Sequence, residues 1–434
     1  MKKVLVITYY WPPSGGSGVQ RWVKFAKYLP AEGWQPIVYA PEHPSYPSLD
    51  PSLAAEIPKS VQVIRRPIFE PFGIYRRLFG KGSSVDINEV ASRANGAKGG
   101  DWKSRLSLYI RSNFFIPDAR CLWIRPSARF LKNYLKEHPV DVIVSTGPPH
   151  SVHLIARSVA RATGIPWVAD FRDPWTKMYW FRDMAFTKRS LRRHRQLEKQ
   201  VLDDATVVLS VTPYVQKDFE AMTHTPVAMI TNGFDESDYA DAEDTRDEYF
   251  NITHTGVLPV DGNPDVLWKV LGKLCKTNAE LSKVLRIRLV GNTDASVLQQ
   301  IQDCGLGANL VDLGYQAHKV AVEEQKNACL LILPVRKQPE SKAILSGKLF
   351  EYLAARRRIL GFGDPDGAMA EVLNRTGAGA MAGWDDEKTV ETSVLNCWKA
   401  YLDDEVIIRS DAIDAYSRKA LTHRLSELLE SLTT

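Results

Sequence analysis

The chain has 434 residues, of which 44% are hydrophobic, 25% charged and 10% aromatic; this is ordinary globular composition, long enough for two cores, and it excludes a disordered, collagenous or disulfide-scaffold protein. Its five cysteines, Cys121, Cys275, Cys304, Cys329 and Cys397, are scattered and form no C-x-x-C pair, so no zinc site is indicated and a reducing, cytoplasmic compartment is expected. The net charge of +5 conceals a split: residues 1–235 hold 33 Lys+Arg against 20 Asp+Glu, or +13, while residues 236–434 hold 23 against 31, or −8, so the positive field belongs to the N-terminal half.

The first apolar run, Val4 to Tyr10, is too short for a signal peptide before Trp11-Pro12-Pro13 interrupts it, and it reads as a buried strand. Apolar residues at 19, 22, 23, 26 and 29 predict a helix over Val19–Leu29, with strands at Pro36–Tyr39 and Val61–Arg65. Between Phe69 and Ala119 the pattern weakens, with glycine clusters at 80–84 and 96–100, and a mobile excursion is expected. The alternation resumes with a strand at Asp141–Ser145, a helix over Ser151–Thr163, a strand at Pro166–Asp170, a basic helix over Thr187–Asp204, and strands at Thr206–Val211 and Pro226–Ile230. The turn cluster Thr231-Asn232-Gly233-Phe234-Asp235 then marks a boundary.

A second alternation follows. Strands are predicted at Asn251–Thr255, Leu285–Val290, Leu310–Leu313, Cys329–Leu333, Arg358–Phe362 and Gly379–Met381, with helices from Asp265, Ala295, near Val320 and over Ser346–Ala355. This βαβ rhythm predicts an α/β protein with two doubly wound, Rossmann-like units in series, over 1–232 and 233–404, and a helical segment over 405–434. Nowhere do 18 apolar residues run together, so no membrane-spanning helix is expected.

Four strand ends carry residues with chemistry. Tyr10 to Gly18 contains Gly15-Gly16, where backbone N–H groups are able to approach an anion at a helix start. The spacing is not G-x-G-x-x-G and no acidic residue closes the second strand, so a dehydrogenase is disfavoured; a plain Gly/Ser turn is the alternative. At Gly147-Pro148-Pro149-His150, the helix start disfavours a cationic ring, and neutral His150 either hydrogen-bonds a sugar hydroxyl or phosphate or simply caps the helix. His153, one turn later, is read as structural. Asp170, Arg172 and Asp173, with Phe171 and Trp175, form either an internal ion-pair brace or the polar floor of an active site, because isolated charges bury poorly. Finally, Ser346 is a credible N-cap, so free amides around Gly347, Lys348 and Leu349 would meet a phosphate. Glu351 lies one turn further on, with its side chain leaning back toward them.

These pieces resemble the retaining family 4 glycosyltransferases of the GT-B fold, especially bacterial O-antigen and exopolysaccharide transferases. The resemblance is carried by Gly15-Gly16, by Asp170 to Trp175, by Asn232-Gly233-Phe234-Asp235 and by Lys348-Leu349-Phe350-Glu351-Tyr352-Leu353-Ala354-Ala355, in this order over nearly the whole chain. It implies two Rossmann-like domains facing each other across a cleft, an acceptor on the N-terminal one, a nucleotide-sugar donor on the C-terminal one, and a last helix returning to the N-terminal domain. Donor binding falls to Gly15, Gly16, Ser346, Gly347, Lys348, Leu349, Phe350 and Glu351, with Tyr315 either bordering the base or an ordinary loop aromatic. The catalytic side of the cleft falls to His150, Arg172 and Asp173. No cofactor is expected, since the nucleotide-sugar is a substrate, UDP-sugar being favoured over GDP-sugar.

There are departures from the pattern. The family's Glu-x7-Glu motif places its first carboxylate where this chain has Ala343, with Glu340 three residues earlier. The basic pair that often follows the first glycine of the C-terminal domain is replaced by Val257-Leu258-Pro259, leaving Lys348, the helix start and Arg336, Lys337 or Lys342 to meet phosphate. Asp364-Pro365-Asp366 matches an Asp-x-Asp metal string but reads as a turn, so no metal is expected. Three functions stay open: a transferase acting on a lipid-linked or polysaccharide acceptor, a nucleotide-sugar 2-epimerase, and a catalytically silent scaffold suggested by Ala343.

Partners follow from charge. Lys103, Arg105, Arg111, Arg120, Arg125, Arg129, Lys132 and Lys136 interleave with Leu106, Leu108, Tyr109, Phe114, Phe115, Trp123, Phe130 and Leu131. Such a stretch either lies on an anionic membrane surface or covers the sheet with solvated basic faces. Peripheral attachment at the inner face of the membrane is expected. No nucleic-acid module accompanies the charge, and no nucleic-acid partner is expected.

Overall fold

The computed structural model describes residues 1–70, 102–178, 181, 184–240 and 247–433. The glycine clusters at 80–84 and 96–100 lie outside the described residues, as do the side chains of Lys103 and Glu340. Contacts divide the chain into two units, Met1–Thr231 with Thr422–Thr434, and Asn232–Leu421.

In the first unit the described residues form seven strands, β1 (Lys2–Thr8), β2 (Trp34–Glu42), β3 (Gln62–Pro67), β4 (Val142–Gly147), β5 (Trp167–Phe171), β6 (Val207–Ser210) and β7 (Val227–Met229). They make one parallel sheet in the order β3-β2-β1-β4-β5-β6-β7. Val4 to Ile7 and Val142 to Val144 are fully buried, because helices cover both faces and a strand in such a sheet has no polar side. The helix α1 (Ser17–Tyr28) buries Val19, Trp22, Val23 and Ala26, the apolar positions that predicted it. The other helices used below are α2 (Trp102–Phe114), α3 (Ile124–Glu137), α4 (Ser151–Thr163) and α5 (Lys188–Asp204). Helix α4 buries Val152, Ile155, Ala156 and Val159, the i, i+3, i+4, i+7 stripe of a helix packed by one face, and stops at Gly164, which is left-handed at φ 73°. Thr187 caps α5, its hydroxyl oxygen accepting from Ser190 N at 3.2 Å.

The second unit repeats the winding. Its described strands are β8 (Phe250–Thr255), β9 (Leu285–Val290), β10 (Leu310–Gly314), β11 (Leu330–Pro334), β12 (Arg358–Phe362) and β13 (Gly379–Ala382), all parallel, in the order β10-β9-β8-β11-β12-β13. Residues 405–421 stay with this unit: Ile408 N donates to Arg356 O at 2.9 Å and Arg418 N to Phe234 O at 2.7 Å. From Thr422 the chain belongs to the first unit, where Leu425 and Leu429 are buried, Lys2 pairs with Glu430, and Arg424 donates to Met229 O at 3.0 Å.

Both sheets reverse direction beside their first strand, between β1 and β4 and between β8 and β11. Loops leaving the carboxyl ends of strands at such a point run to opposite faces and leave a crevice for a ligand. The loops singled out in the sequence, after β1, β4 and β5 and before the helix α6 (Gly347–Ala354), surround these two reversals. Among the described residues no helix is long and apolar enough to cross a membrane.

Candidate active site

In the first unit, the loop after β1 is held by its neighbours. Gly15 N donates to Ser48 O at 3.0 Å and Asp50 N to Pro13 O at 2.8 Å. A Cβ on Gly15 would stand 3.2 Å from the Asp50 Cβ and Ser48 Oγ, so this glycine serves a close chain approach and its amide is already used. Gly16 has φ 85° and precedes α1 with no side-chain cap, which leaves the start of that helix open to an anion.

Arg172 is the clip of the site. Its guanidinium donates to the carbonyls of Gly18, Gly147 and Pro148, the Gly147 contact being 3.2 Å through Nε, and its backbone N–H donates to Gly147 O at 3.0 Å. One side chain thus ties the first turn of α1 to the end of β4 and the loops after β4 and β5. The internal brace read around Arg172 exists, but with another arginine. Asp170, fully buried, accepts from Arg21 of α1 at 3.0 and 3.2 Å and from Trp22 Nε1 at 2.7 Å. Burial pushes its carboxyl up, and Arg21 with the Trp22 hydrogen bond outweighs this, holding it below the ordinary carboxylate range. Asp173 is half-buried; burial raises its carboxyl, and the nearby Arg172 only partly opposes this.

His150 stands at the start of α4, 4% exposed, its ring stacked on Trp175 at 4.6 Å with 3° between the planes. Burial, followed by the fields of His153, His194 and Arg172, keeps it neutral far below an ordinary imidazole. The neutral ring expected from the helix start is therefore present, with burial as the larger cause. Its Nδ1 is buried with no partner among the described residues. His153 is core, as read: fully buried, its Nδ1 2.8 Å from Ser145 Oγ and its ring 4.3 Å from Phe171. A Cβ on Gly147 would come within 2.5 Å of His153 Nε2, so only glycine fits above this ring.

A supporting layer escaped the sequence reading. Glu198 of α5 accepts from Trp175 N and Thr176 N, both at 3.2 Å, and His194 Nδ1 accepts from Trp175 Nε1 at 3.2 Å. These two side chains set Trp175, and Trp175 sets His150. The signal was available: 194, 197, 198 and 201 form one helical face, and all four are buried.

In the second unit, Ser346 caps α6 as predicted, its hydroxyl oxygen accepting from Lys348 N at 3.3 Å. Gly347 N has no partner among the described residues, whereas Leu349 N donates back to Ser346 O at 3.1 Å. Leu349 and Phe350 turn their side chains into the core, so only backbone is left to meet a donor there. Lys348 reaches across to β8: a Cβ on Gly256 would stand 2.2 Å from its Nζ, and Gly256 itself has φ 107°. The ammonium thus occupies the turn where the family's basic pair is missing. Burial lowers its pKa, with Glu351 pulling the other way. Glu351 is half-buried and has no hydrogen-bond partner among the described residues. Below it, Tyr352 OH accepts from Thr255 N at 2.9 Å, Gln325 Nε2 donates to Thr255 Oγ1 at 3.0 Å, and Tyr239 OH donates to Gln325 Oε1 at 2.7 Å. This buried relay locks α6 to the end of β8.

The remaining candidates are peripheral. Tyr315, after Gly314 at the end of β10, is 83% exposed. Ala343 closes a 3-10 turn, Pro339–Ala343, and puts no carboxylate at the motif's first position. Of the substitute cations, Lys342 lies 3.6 Å from Asp364, Arg336 3.9 Å from Asp261, and Lys337 4.5 Å over the Trp384 ring. Asp364 accepts from Asp366 N at 2.9 Å, the side-chain-to-backbone bond of a turn, as read.

A glycosyl transferase 4-like domain model matches residues 15–233, just over half of the chain. No curated protein matches the sequence. Solved structures match across the whole length. Sucrose-phosphate synthase of Thermosynechococcus elongatus is 10% identical, with a TM-score of 0.62 over 100% of this chain and 99% of that one. WaaG, a glycosyltransferase involved in lipopolysaccharide biosynthesis, is 14% identical, with a TM-score of 0.52 over 98% and 99%. The UDP-forming α,α-trehalose-phosphate synthase of Burkholderia vietnamiensis is 11% identical, with a TM-score of 0.56 over 99% and 100%. At these identities the likeness is one of fold, two doubly wound parallel-sheet units of the GT-B type. With the domain model spanning the loops after β1, β4 and β5, the chain belongs to the glycosyl transferase 4-like family of glycosyltransferases.

Proposed function

We propose that this glycosyltransferase moves a sugar, with retention, from a nucleotide diphosphate to a lipid-linked or polysaccharide acceptor in surface-glycan biosynthesis. The observation that carries the reading is Lys348, whose ammonium fills the turn at Gly256 beside a Ser346-capped helix start, with Glu351 one turn along. A diphosphate has two needs that this arrangement meets, a cation and unpaired amides, and the half-charge of the helix start adds to both. Glu351, with no hydrogen-bond partner among the described residues, is suited to accept from the two ribose hydroxyls. As the bond from the anomeric carbon to the diphosphate breaks, charge grows on the leaving oxygen. Preorganised donors that meet such charge are usually the largest catalytic contribution. The acceptor hydroxyl forms the new bond and its proton passes to the departing phosphate. In this reading protein cations do the work of a metal, and His150, Arg172 and Asp173 line the sugar side of the cleft.

UDP is favoured over GDP as the carrier; the fold likeness to a UDP-forming synthase supports this, and the likeness to a lipopolysaccharide glycosyltransferase supports the surface-glycan setting. Peripheral attachment to the inner face of a membrane, where lipid-linked acceptors reside, belongs to the same reading. The test is calorimetric titration of UDP and GDP into wild type and Glu351→Ala, with the anomeric configuration of product read by NMR. A charge-assisted hydrogen bond is worth about 1.5 to 3 kcal/mol, so the variant should bind roughly 10- to 150-fold more weakly. Unchanged affinity for both nucleotides removes Glu351 from the donor site, and an inverted product removes retention. Ala343 favours one second reading, a catalytically silent scaffold; slow donor hydrolysis by the purified protein argues against it.

A further inference from the structure

The basic, aromatic-bearing stretch of the first unit is resolved by the structure into two different surfaces, and neither is the even mixture read from the sequence. Trp123 and Leu131 face the core, Phe130 packs beneath the Arg66 guanidinium, and Arg120 turns inward to Glu70 and the Tyr9 ring. What stays outside is sorted by helix.

On α3, Ser127, Ala128, Leu131 and Leu135 are buried, and Arg125, Arg129, Lys132 and Lys136 fall on the other side. At 100° per residue these four lie within an arc of about 60° and span roughly 16 Å along the axis. None has a carboxylate within ion-pair distance among the described residues. Glu137, the only acidic residue of α3, points about a third of a turn away from them. Arg125, Arg129 and Lys132, with Ser158 of α4, line a groove of about 690 Å3. On α2, Trp102, Leu106 and Tyr109 recur at i, i+4, i+7 and are all exposed, Trp102 at 67%, followed by Phe114 at 71%. The end of α2 is pinned to the start of α5: Asn113 accepts from Thr187 N at 2.8 Å and donates to Ala185 O at 2.7 Å. Helix α3 packs on α4 and α4 on α5, and α2 is joined to this layer at its C-terminal end through the Asn113 hydrogen bonds.

We propose that this layer is the docking surface for an anionic lipid bilayer, with the α3 cations and their groove receiving headgroup phosphates and the α2 apolar stripe entering the interface. Four cations in a row suit a plane of phosphates, since each is matched by a neighbour at similar spacing. The apolar stripe gives what charge alone does not, a component that resists salt. A helix with aromatic and leucine side chains on an exposed face, beside lysine and arginine, has the composition of one lying in the headgroup region. The inference rests on the peripheral-membrane part of the function proposed above and names the residues responsible for it.

The test is sedimentation of the full chain with vesicles of phosphatidylcholine alone, or with phosphatidylglycerol added, at low and high salt. The vesicles contain no acceptor, so attachment is read apart from sugar transfer; a transferase that works in solution but ignores vesicles would sink this inference and leave the donor chemistry standing. Each cation at an anionic surface is worth about fivefold in partitioning, so Arg125→Gln, Arg129→Gln, Lys132→Gln and Lys136→Gln together should lower binding by at least about a hundredfold. The matched control, Lys276→Gln, Lys283→Gln, Lys319→Gln and Lys388→Gln, removes the same charge from exposed positions of the second unit and should bind as wild type does. Leu106→Asp with Tyr109→Asp should abolish the part of binding that survives high salt. Equal loss in stripe and control variants, or equal binding to neutral and anionic vesicles, overturns the proposal. Circular dichroism of each variant separates these outcomes from unfolding.

Discussion

Acid should unfold the first unit from its centre, because its buried histidines are packed as neutral rings. Burial holds His153 down to about 3, with Arg172 adding to the effect and Asp170 opposing it, and burial holds His194 down to about 4. Both residues are almost inaccessible. An ordinary imidazole titrates near 6.5 in an unfolded chain. Between that value and the folded one, the unfolded chain binds protons that the folded chain refuses, so stability is complete above about pH 7 and falls as pH drops. At pH 5 each ring costs about 2 kcal/mol relative to pH 8, and the pair about 4 kcal/mol, a large share of a typical domain's 5 to 15. Glu198, whose carboxyl burial raises, works in the opposite direction and softens the slope at the acid end. For a unit of this size the pair alone should lower the midpoint by roughly 8 to 16 °C, and His150, kept neutral by the same burial, adds to the fall. Scanning calorimetry at pH 8, 6.5 and 5 measures it. His153→Phe keeps a ring against Phe171 and removes one of three such groups, so it should shed about a third of the acid sensitivity. A midpoint that is level from pH 8 to 5, or a variant with the wild-type slope, would refute the reasoning.

Other perturbations probe the site more locally. Arg172→Ala removes the donor shared by three loop carbonyls and should reduce turnover while leaving calorimetric UDP affinity within about twofold, since Lys348 and Glu351 are untouched; a variant with full turnover would show that the loops hold without it. Gly147→Ala drives a methyl to 2.5 Å from His153 Nε2 and should cost about 1 to 3 kcal/mol, the range for overpacking a core, read as a lowered denaturant midpoint. Tyr352→Phe leaves the buried Thr255 N–H without its acceptor, at a cost of about 1 to 3 kcal/mol. It should raise the donor KM more than it lowers kcat, and equal changes in both would assign Tyr352 a purely structural role. Asp170→Asn strands the Arg21 charge in the core and should destabilise the first unit by about 3 to 5 kcal/mol, a loss that Arg21→Met in the same chain should partly restore.

The elements of this protein were largely readable in order. A strand covered on both faces is a short apolar run, and a helix covered on one face is a 3.6-residue stripe. Both patterns depend only on residues a few positions apart. Ser346 as a cap and Glu351 one turn beyond it were readable for the same reason. His194 and Glu198 were missed although their spacing with Leu197 and Val201 was equally local, because the number of charges in α5 masked its buried face.

What the sequence could not decide is which partner each charge takes. Asp170 looked toward Arg172, two residues away, yet the winding brings α1 and its Arg21 to it across 149 positions. Arg172, released from that pairing, spends its guanidinium on backbone carbonyls. Lys348 finds its place 92 residues upstream, in the space that a Cβ on Gly256 would fill. Likewise, the alternation of basic and aromatic residues before β4 is separated only when two helices turn different faces outward. Local periodicity is a property of the chain, whereas pairing belongs to the crossovers of the sheet, which bring distant segments to common strand ends.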